Sequence, residues 1–217
     1  MSATAEKKGK LITFEGGEGG GKSTQIGLLT KALKARGLEV VRTREPGGTP
    51  GGEKIRSLLV NGDIDLWKPL SEALLNYAAR FEHVSRLIVP ALERGAWVLS
   101  DRFSDSTLAY QGYAHALDRE TIARLHRLVL GAFEPDLTLI LDIPVDVGLA
   151  RARARGDGED RYERMEVSFH HRLRDGFLDI ARKNIARCAI IDGEPGVDDV
   201  QRAIRAVVQS RFGIDLS

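Results

Sequence analysis

The residues best suited to chemistry lie near the start of the chain, where positions 16–23 read G-G-E-G-G-G-K-S. They match the spacing G-x-x-x-x-G-K-[ST], with Gly16, Gly21, Lys22 and Ser23 at the fixed positions and Gly17, Glu18, Gly19 and Gly20 between them. An apolar run at 11–14 precedes the glycines and a helical stretch at 22–35 follows them. In that strand–loop–helix context successive backbone N–H groups turn inward as a nest for an anion, which side chains at several positions would obstruct. The helix N-terminus adds a partial positive charge of about 0.5. Lys22 can reach the β- and γ-phosphates of a nucleotide, and the Ser23 hydroxyl is a ligand for magnesium. The plain alternative is a glycine-rich turn with a solvated lysine; it explains neither the spacing nor the flanking elements. The loop points to a nucleotide binder without naming a reaction, since GTPases, motors and small-molecule kinases all use it. No N-K-x-D guanine signature occurs, and the chain is short for a motor.

Further clusters narrow the chemistry. R-E-P-G-G at 44–48, followed by Thr49, belongs to a second glycine group made of Gly47, Gly48, Gly51 and Gly52. Asp101, Arg102 and Phe103 follow an apolar run at 96–99, and Ser106, Thr107, Tyr110 and Gln111 come next on a helical stretch. A carboxylate at 101 can hold magnesium through water, and a guanidinium offers a planar fork of donors to a phosphate; a structural Asp–Arg ion pair is the simpler reading. Glu18 lies inside the loop, where a carboxylate beside phosphates is electrostatically awkward. Glu15 either supports the groups around the loop or simply ends its strand. Tyr77 and Arg80, three apart on a helix, lie on nearly one face. His170 and His171 lack metal-ligand partners at suitable spacing and read as surface or packing residues.

The ordered set F-E-G-G-E-G-G-G-K-S-T, T-R-E-P-G-G-T, N-Y-A-A-R, D-R-F-S-D-S-T-L-A-Y-Q-G, P-D-L-T-L-I-L-D and R-A-R-A-R-G resembles the bacterial thymidylate kinase family over residues 10–211. The resemblance implies an α/β P-loop kinase fold, a homodimer, and transfer of a phosphoryl group from MgATP to dTMP. It also implies site roles. Residues Gly16 to Ser23 bind ATP, Ser23 and Asp101 serve magnesium, and Lys22 and Arg102 stabilise the transferring group. Glu18 faces the acceptor's sugar hydroxyl or magnesium. Tyr77 stacks on thymine, Arg80 meets a base carbonyl, Thr107 touches the base edge, Tyr110 packs under the deoxyribose, and Gln111 belongs to the same acceptor site. Arg56, after the second glycine group, suits the acceptor phosphate. Arg151, Arg153 and Arg155 precede Gly156, and Arg161 follows a loop-like stretch at 156–160, an arrangement that resembles a closing lid around 151–163. The phosphate loop carries no arginine, so the transition-state cation is expected from Arg153, Arg155 or Arg161. Another nucleoside or nucleotide kinase on the same fold is the near alternative. An ATP-gated binding protein without transfer chemistry is the distant one.

These residues must be positioned by alternating strands and helices. Short apolar runs at 11–14, 40–43, 96–99, 137–143 and 189–191 read as strands. Helical patterns occupy 22–35, 53–59, 71–93, 105–113, 119–129, 147–155, 161–186 and 197–208. That alternation predicts a five-stranded parallel sheet with helices on both faces, to which the resemblance adds a short mobile lid. At 217 residues the expectation is one domain over 10–217, after a loose polar tail at 1–9. Apolar content of 42% and charged content of 29% fit a globular protein. No apolar run is long enough to span a membrane, and a net charge of +1 gives no reason to expect nucleic acid. The single cysteine, Cys188, excludes an internal disulfide and a four-cysteine zinc site. The polar tail has no secretory signal character, which fits the cytoplasm.

Overall fold

The computed structural model describes residues 9–155 and 161–216. Five strands, β1 (Leu11–Glu15), β2 (Val40–Arg44), β3 (Trp97–Asp101), β4 (Leu137–Asp142) and β5 (Cys188–Asp192), pair in parallel in the order β2-β3-β1-β4-β5. The helices are α1 (Lys22–Ala35), α2 (Pro50–Val60), α3 (Pro69–His83), α4 (Val89–Glu93), α5 (Ser104–Thr107), α6 (Arg119–Leu130), α7 (Val145–Arg155), α8 (Val167–Lys183) and α9 (Val197–Phe212). Every residue of β1 is buried, as a central strand covered on both faces requires. Alternate residues of β1 serve opposite layers. Ile12 and Phe14 pack with Leu29 and Leu33 of α1 and Ile204 and Val208 of α9. Leu11 packs on the other face with Ile88, Ala91 and Phe103. On that same side of β4, Ile140 meets Phe169, Leu173 and Phe177 of α8.

The ends of the elements have local causes. Thr49 caps α2 by accepting from Gly52 N–H at 3.1 Å, and Pro50 fills the first helical position, where a missing N–H costs nothing. Asp118 caps α6 through Thr121 N–H at 2.9 Å. The helix expected over 71–93 is interrupted by a π-helical turn at Val84–Ile88, directly before α4 with its Pro90. Proline lacks the N–H and crowds the carbonyl four residues back, and a widened turn relieves both. The helix expected over 161–186 begins only at Val167. Gly9, expected in the loose tail, is buried and donates to the Leu92 carbonyl at 3.0 Å; residues 1–8 of that expected tail lie outside the described residues. Among the described residues no helix is long and apolar enough to cross a membrane.

Candidate active site

Phe14 of β1 lies opposite Asp101 of β3, so the loops leaving both strands start abreast at the carboxyl edge of the sheet. Open α/β sheets bind ligands at that edge. The phosphate loop there is packed backbone to backbone. Gly19 has φ 68°, and a Cβ on it would sit 2.0 Å from the Gly148 carbonyl oxygen. Gly16 has φ 124°, and its Cβ would meet the Leu141 carbonyl at 2.4 Å. Only glycine satisfies both demands. Lys22, at the start of α1, folds back over the loop and donates to the Gly16 and Gly17 carbonyls at 3.3 and 2.8 Å. Burial, aided by the nearby Arg102 charge, pushes its ammonium down to about 8. The Ser23 hydroxyl donates to Asp101 Oδ2 at 2.8 Å, so two oxygen groups meet where the expected magnesium site lies.

A cavity of about 360 Å³ opens from this loop and runs towards α3 and the turn after β3. Arg102 stands in its middle. Its Nη1 donates to the Gly16 carbonyl at 3.0 Å and to Ser106 Oγ at 3.1 Å, and its Nη2 donates to Glu18 Oε1 at 2.9 Å. Its guanidinium lies 5.0 Å from the Tyr110 ring centre. The Tyr110 hydroxyl donates to the same Glu18 oxygen. Burial pushes the Glu18 carboxyl up, but Arg102, Lys22 and the Tyr110 hydroxyl outweigh it and hold the group down at about 2. The awkward loop carboxylate is thus stabilised by two cations that also face the cavity. Behind the loop, burial with Asp105 beside it pushes the Glu15 carboxyl up to about 8.

The far end of the cavity is organised around Arg80, which is 2% exposed. Its Nε donates to Glu45 Oε2 at 2.7 Å, and its Nη2 donates to the Phe103 carbonyl and to Thr107 Oγ1, both at 3.1 Å. Glu45 in turn contacts His83 Nδ1 at 2.9 Å. Arg80 lines the cavity beside Thr107. Gln111 also lines the cavity, and its Nε2 donates to Glu72 Oε2 at 2.8 Å. Arg56 borders the cavity and donates to the Pro46 carbonyl at 2.9 Å.

Some expected site residues lie elsewhere. Tyr77 is buried beneath Arg80, its ring centre 4.7 Å from the guanidinium, and is absent from the cavity lining. Asn76 lines the cavity instead. The reason is helical geometry: residues 76 and 80 are four apart and share the facing stripe, whereas 77 turns off it. The tyrosine expected on the base therefore supports Arg80 from below. Arg161, expected as a lid cation, is fully buried and faces away from the loop. It donates to the carbonyls of Asp63, Leu59 and Ile64 and to Glu72 Oε1 at 2.6 Å. Those acceptors occupy its guanidinium, so its role is corrected to a clamp between the chain before α8 and the α2–α3 connection. Arg153 is exposed on α7 and does not line the cavity, while the Arg155 side chain and residues 156–160 lie outside the described residues. Tyr162 and Glu163 line the cavity without having been expected there. Their neighbourhood to the arginine-rich stretch was the available signal. His170 is buried and His171 exposed, and Asp142 is held by Arg174 at 2.6 and 2.8 Å on the other side of the loop.

Comparison with known proteins identifies the family. The family model described as thymidylate kinase matches residues 14–204. The thymidylate kinase of Caulobacter vibrioides is 55% identical over 207 residues, covering 95% of this chain and 99% of the relative. That of Geobacter sulfurreducens is 49% identical over 208 residues, covering 94% and 98%. The crystal structure of thymidylate kinase from Ehrlichia chaffeensis superposes with a TM-score of 0.75 at 37% identity, covering 93% of this chain and all of that one. With its phosphate loop, its guanidinium-lined cavity and near full-length kinship of this kind, the chain belongs to the thymidylate kinase family.

Proposed function

We propose that the cavity holds ATP and dTMP with their phosphates meeting between Lys22 and Arg102, and that the γ-phosphoryl group passes in line to dTMP, giving dTDP and ADP. The acceptor oxygen is already anionic at neutral pH, so no strong general base is needed and catalysis is positioning and charge stabilisation. Lys22 exchanges its two loop carbonyls for the β- and γ-phosphates. Arg102 turns its fork from Gly16 and Glu18 to the phosphate between donor and acceptor. Glu18, ionised and anchored by Tyr110, faces the sugar hydroxyl of the acceptor, and the Tyr110 ring packs beneath the deoxyribose. Arg56 serves the acceptor phosphate. Ser23 Oγ and Asp101 Oδ2 suit magnesium, since both are hard oxygen donors and this ion keeps several waters and substrate oxygens of its own. Bound there with ATP, magnesium supplies neutralisation of the phosphate oxygens. Arg153 and Arg155 remain our candidates for a cation that joins the transition state.

The observation that carries the substrate assignment is the cluster of Arg80, Thr107 and Gln111 lining the cavity away from the loop, a set of polar groups that suits the edge of a pyrimidine base. Arg80→Ala should weaken dTMP binding by about 10- to 150-fold, the worth of a charged hydrogen bond, and leave ATP binding within about twofold. Separate equilibrium titrations of the two nucleotides check this; equal effects on both would contradict it.

We further propose a homodimer. Leu70, Leu74 and Phe81 form an apolar stripe on α3, spaced four and seven residues apart and about half exposed. A second copy laid against that stripe would cover it. We place the enzyme in the cytoplasm, where both nucleotides are supplied.

A further inference from the structure

We propose that Glu15, the last residue of β1, is a positioning residue that sets the geometry of Arg102 from behind the phosphate loop. The inference rests on the reading of Arg102 as the guanidinium that meets the reacting phosphates. Alternation along β1 puts Glu15 on the face of Leu11 and Thr13, and its side chain is fully buried there. Its two oxygens have separate tasks. Oε1 accepts from Phe103 N–H at 2.7 Å, and Oε2 meets the Ser106 hydroxyl at 2.5 Å. Each contact is one step from Arg102. Phe103 follows Arg102 in the chain, so Oε1 fixes the peptide plane leaving that residue. Ser106 Oγ accepts from Arg102 Nη1, so Oε2 fixes the oxygen on which the guanidinium rests.

Arg102 needs this restraint. Its φ is 70°, a left-handed conformation that costs a residue with a Cβ roughly 1–2 kcal/mol. Hydrogen bonds hold the strained unit on both sides: Arg102 N–H donates to the Phe14 carbonyl at 2.9 Å, and Ser100 Oγ donates to the Arg102 carbonyl at 2.8 Å. Without Glu15, the buried Phe103 N–H would lose its acceptor and the turn its third tether. The side-chain contacts divide in the same way. Gly16 and Glu18 belong to the phosphate loop, and those contacts must loosen when phosphates arrive. Ser106 sits on α5, off the loop, so its contact need not be surrendered.

Burial and Asp105 push the Glu15 carboxyl up to about 8, while the Ser106 and Phe103 hydrogen bonds and the Arg102 charge pull it down. The carboxyl accepts both contacts, Phe103 N–H on Oε1 and the Ser106 hydroxyl on Oε2. Glutamine keeps an oxygen for Phe103 N–H and offers its amide N–H to Ser106 Oγ in the reverse sense, and leucine, of similar size, makes neither contact.

The test is steady-state kinetics on the full-length enzyme, with kcat and both KM values measured for Arg102→Ala, Ser106→Ala, Glu15→Leu, Glu15→Gln and the double variant Glu15→Leu/Ser106→Ala. Ser106→Ala and Glu15→Leu should each lower kcat by about 10-fold, with the KM for ATP within about twofold. The double variant should lose no more than the worse single one, because both changes break one chain of contacts. Glu15→Gln should stay within about threefold of wild type, retaining both hydrogen bonds. A carboxyl with only a structural role would lower the melting temperature without this shared, non-additive loss of kcat. If Glu15→Leu fails to fold, Ser106→Ala decides. Wild-type kcat in Ser106→Ala beside a strongly impaired Arg102→Ala overturns the positioning role and leaves the reading of Arg102 intact. Wild-type kcat in Arg102→Ala removes both.

Discussion

Lys22 directs its charge at two carbonyl oxygens of its own loop. Burial makes that charge costly, and ATP relieves the cost by supplying a stronger anionic partner. Lys22→Ala should therefore lower kcat by about 100- to 1,000-fold, the usual effect of losing one preorganised donor, while the fold persists. Thermal unfolding run beside the dTMP-dependent assay checks this; near-normal turnover in a folded variant would contradict it. The loop could be read from the sequence because its function lies in the backbone, and spacing alone specifies backbone. Side-chain direction was less legible. Tyr77 and Asn76 are neighbours in sequence, and one residue of helical rotation separates a residue under Arg80 from one facing the cavity. Arg161 was misread for a different reason. A charged residue beside a glycine-bearing loop looks solvated, and only the fold brings three carbonyls and Glu72 around it.

At the scale of elements, the sheet was the most legible part. The inner strands are short apolar runs that a covered parallel sheet demands, the edge strand β2 shows only its two valines, and the expected strands differ from the observed ones only at their ends. The break in α3–α4 and the late start of α8 were not legible as patterns, because apolar spacing continues through both. Arg161 and Glu72 tie the chain entering α8 to α2 and α3 through a fully buried ion pair. Removing one partner strands the other charge in the interior. Arg161→Met should destabilise the protein by about 3–5 kcal/mol, and Arg161→Met/Glu72→Gln should be more stable than Arg161→Met alone, since no buried charge is left unpaired. Urea unfolding of the three proteins measures this. Equal stability of the single and double variants would show that the three lost carbonyl contacts, and not the stranded carboxylate, dominate.

At the scale of the molecule, one carboxyl edge of one sheet gathers the phosphate loop, the Asp101–Phe103 turn and the α3 face into a single cavity. The opposite side of α3 carries the apolar stripe. The helix we assign to the acceptor base is thus also the helix we assign to the dimer contact. Phe81→Asp should convert a dimer to a monomer in sedimentation equilibrium with little loss of monomer stability, because Phe81 is 52% exposed in the single chain. An unchanged dimer would move the contact to another face.

The central claim is that this cavity couples ATP to dTMP and not to nucleotides at large. ADP formation measured by a coupled assay, with each common nucleoside monophosphate offered in turn, tests it most directly. The account predicts fast ADP release with dTMP, far slower release with purine and cytosine monophosphates, and almost none with ATP alone. Equal rates across the panel, or ADP release that does not depend on dTMP, would contradict it.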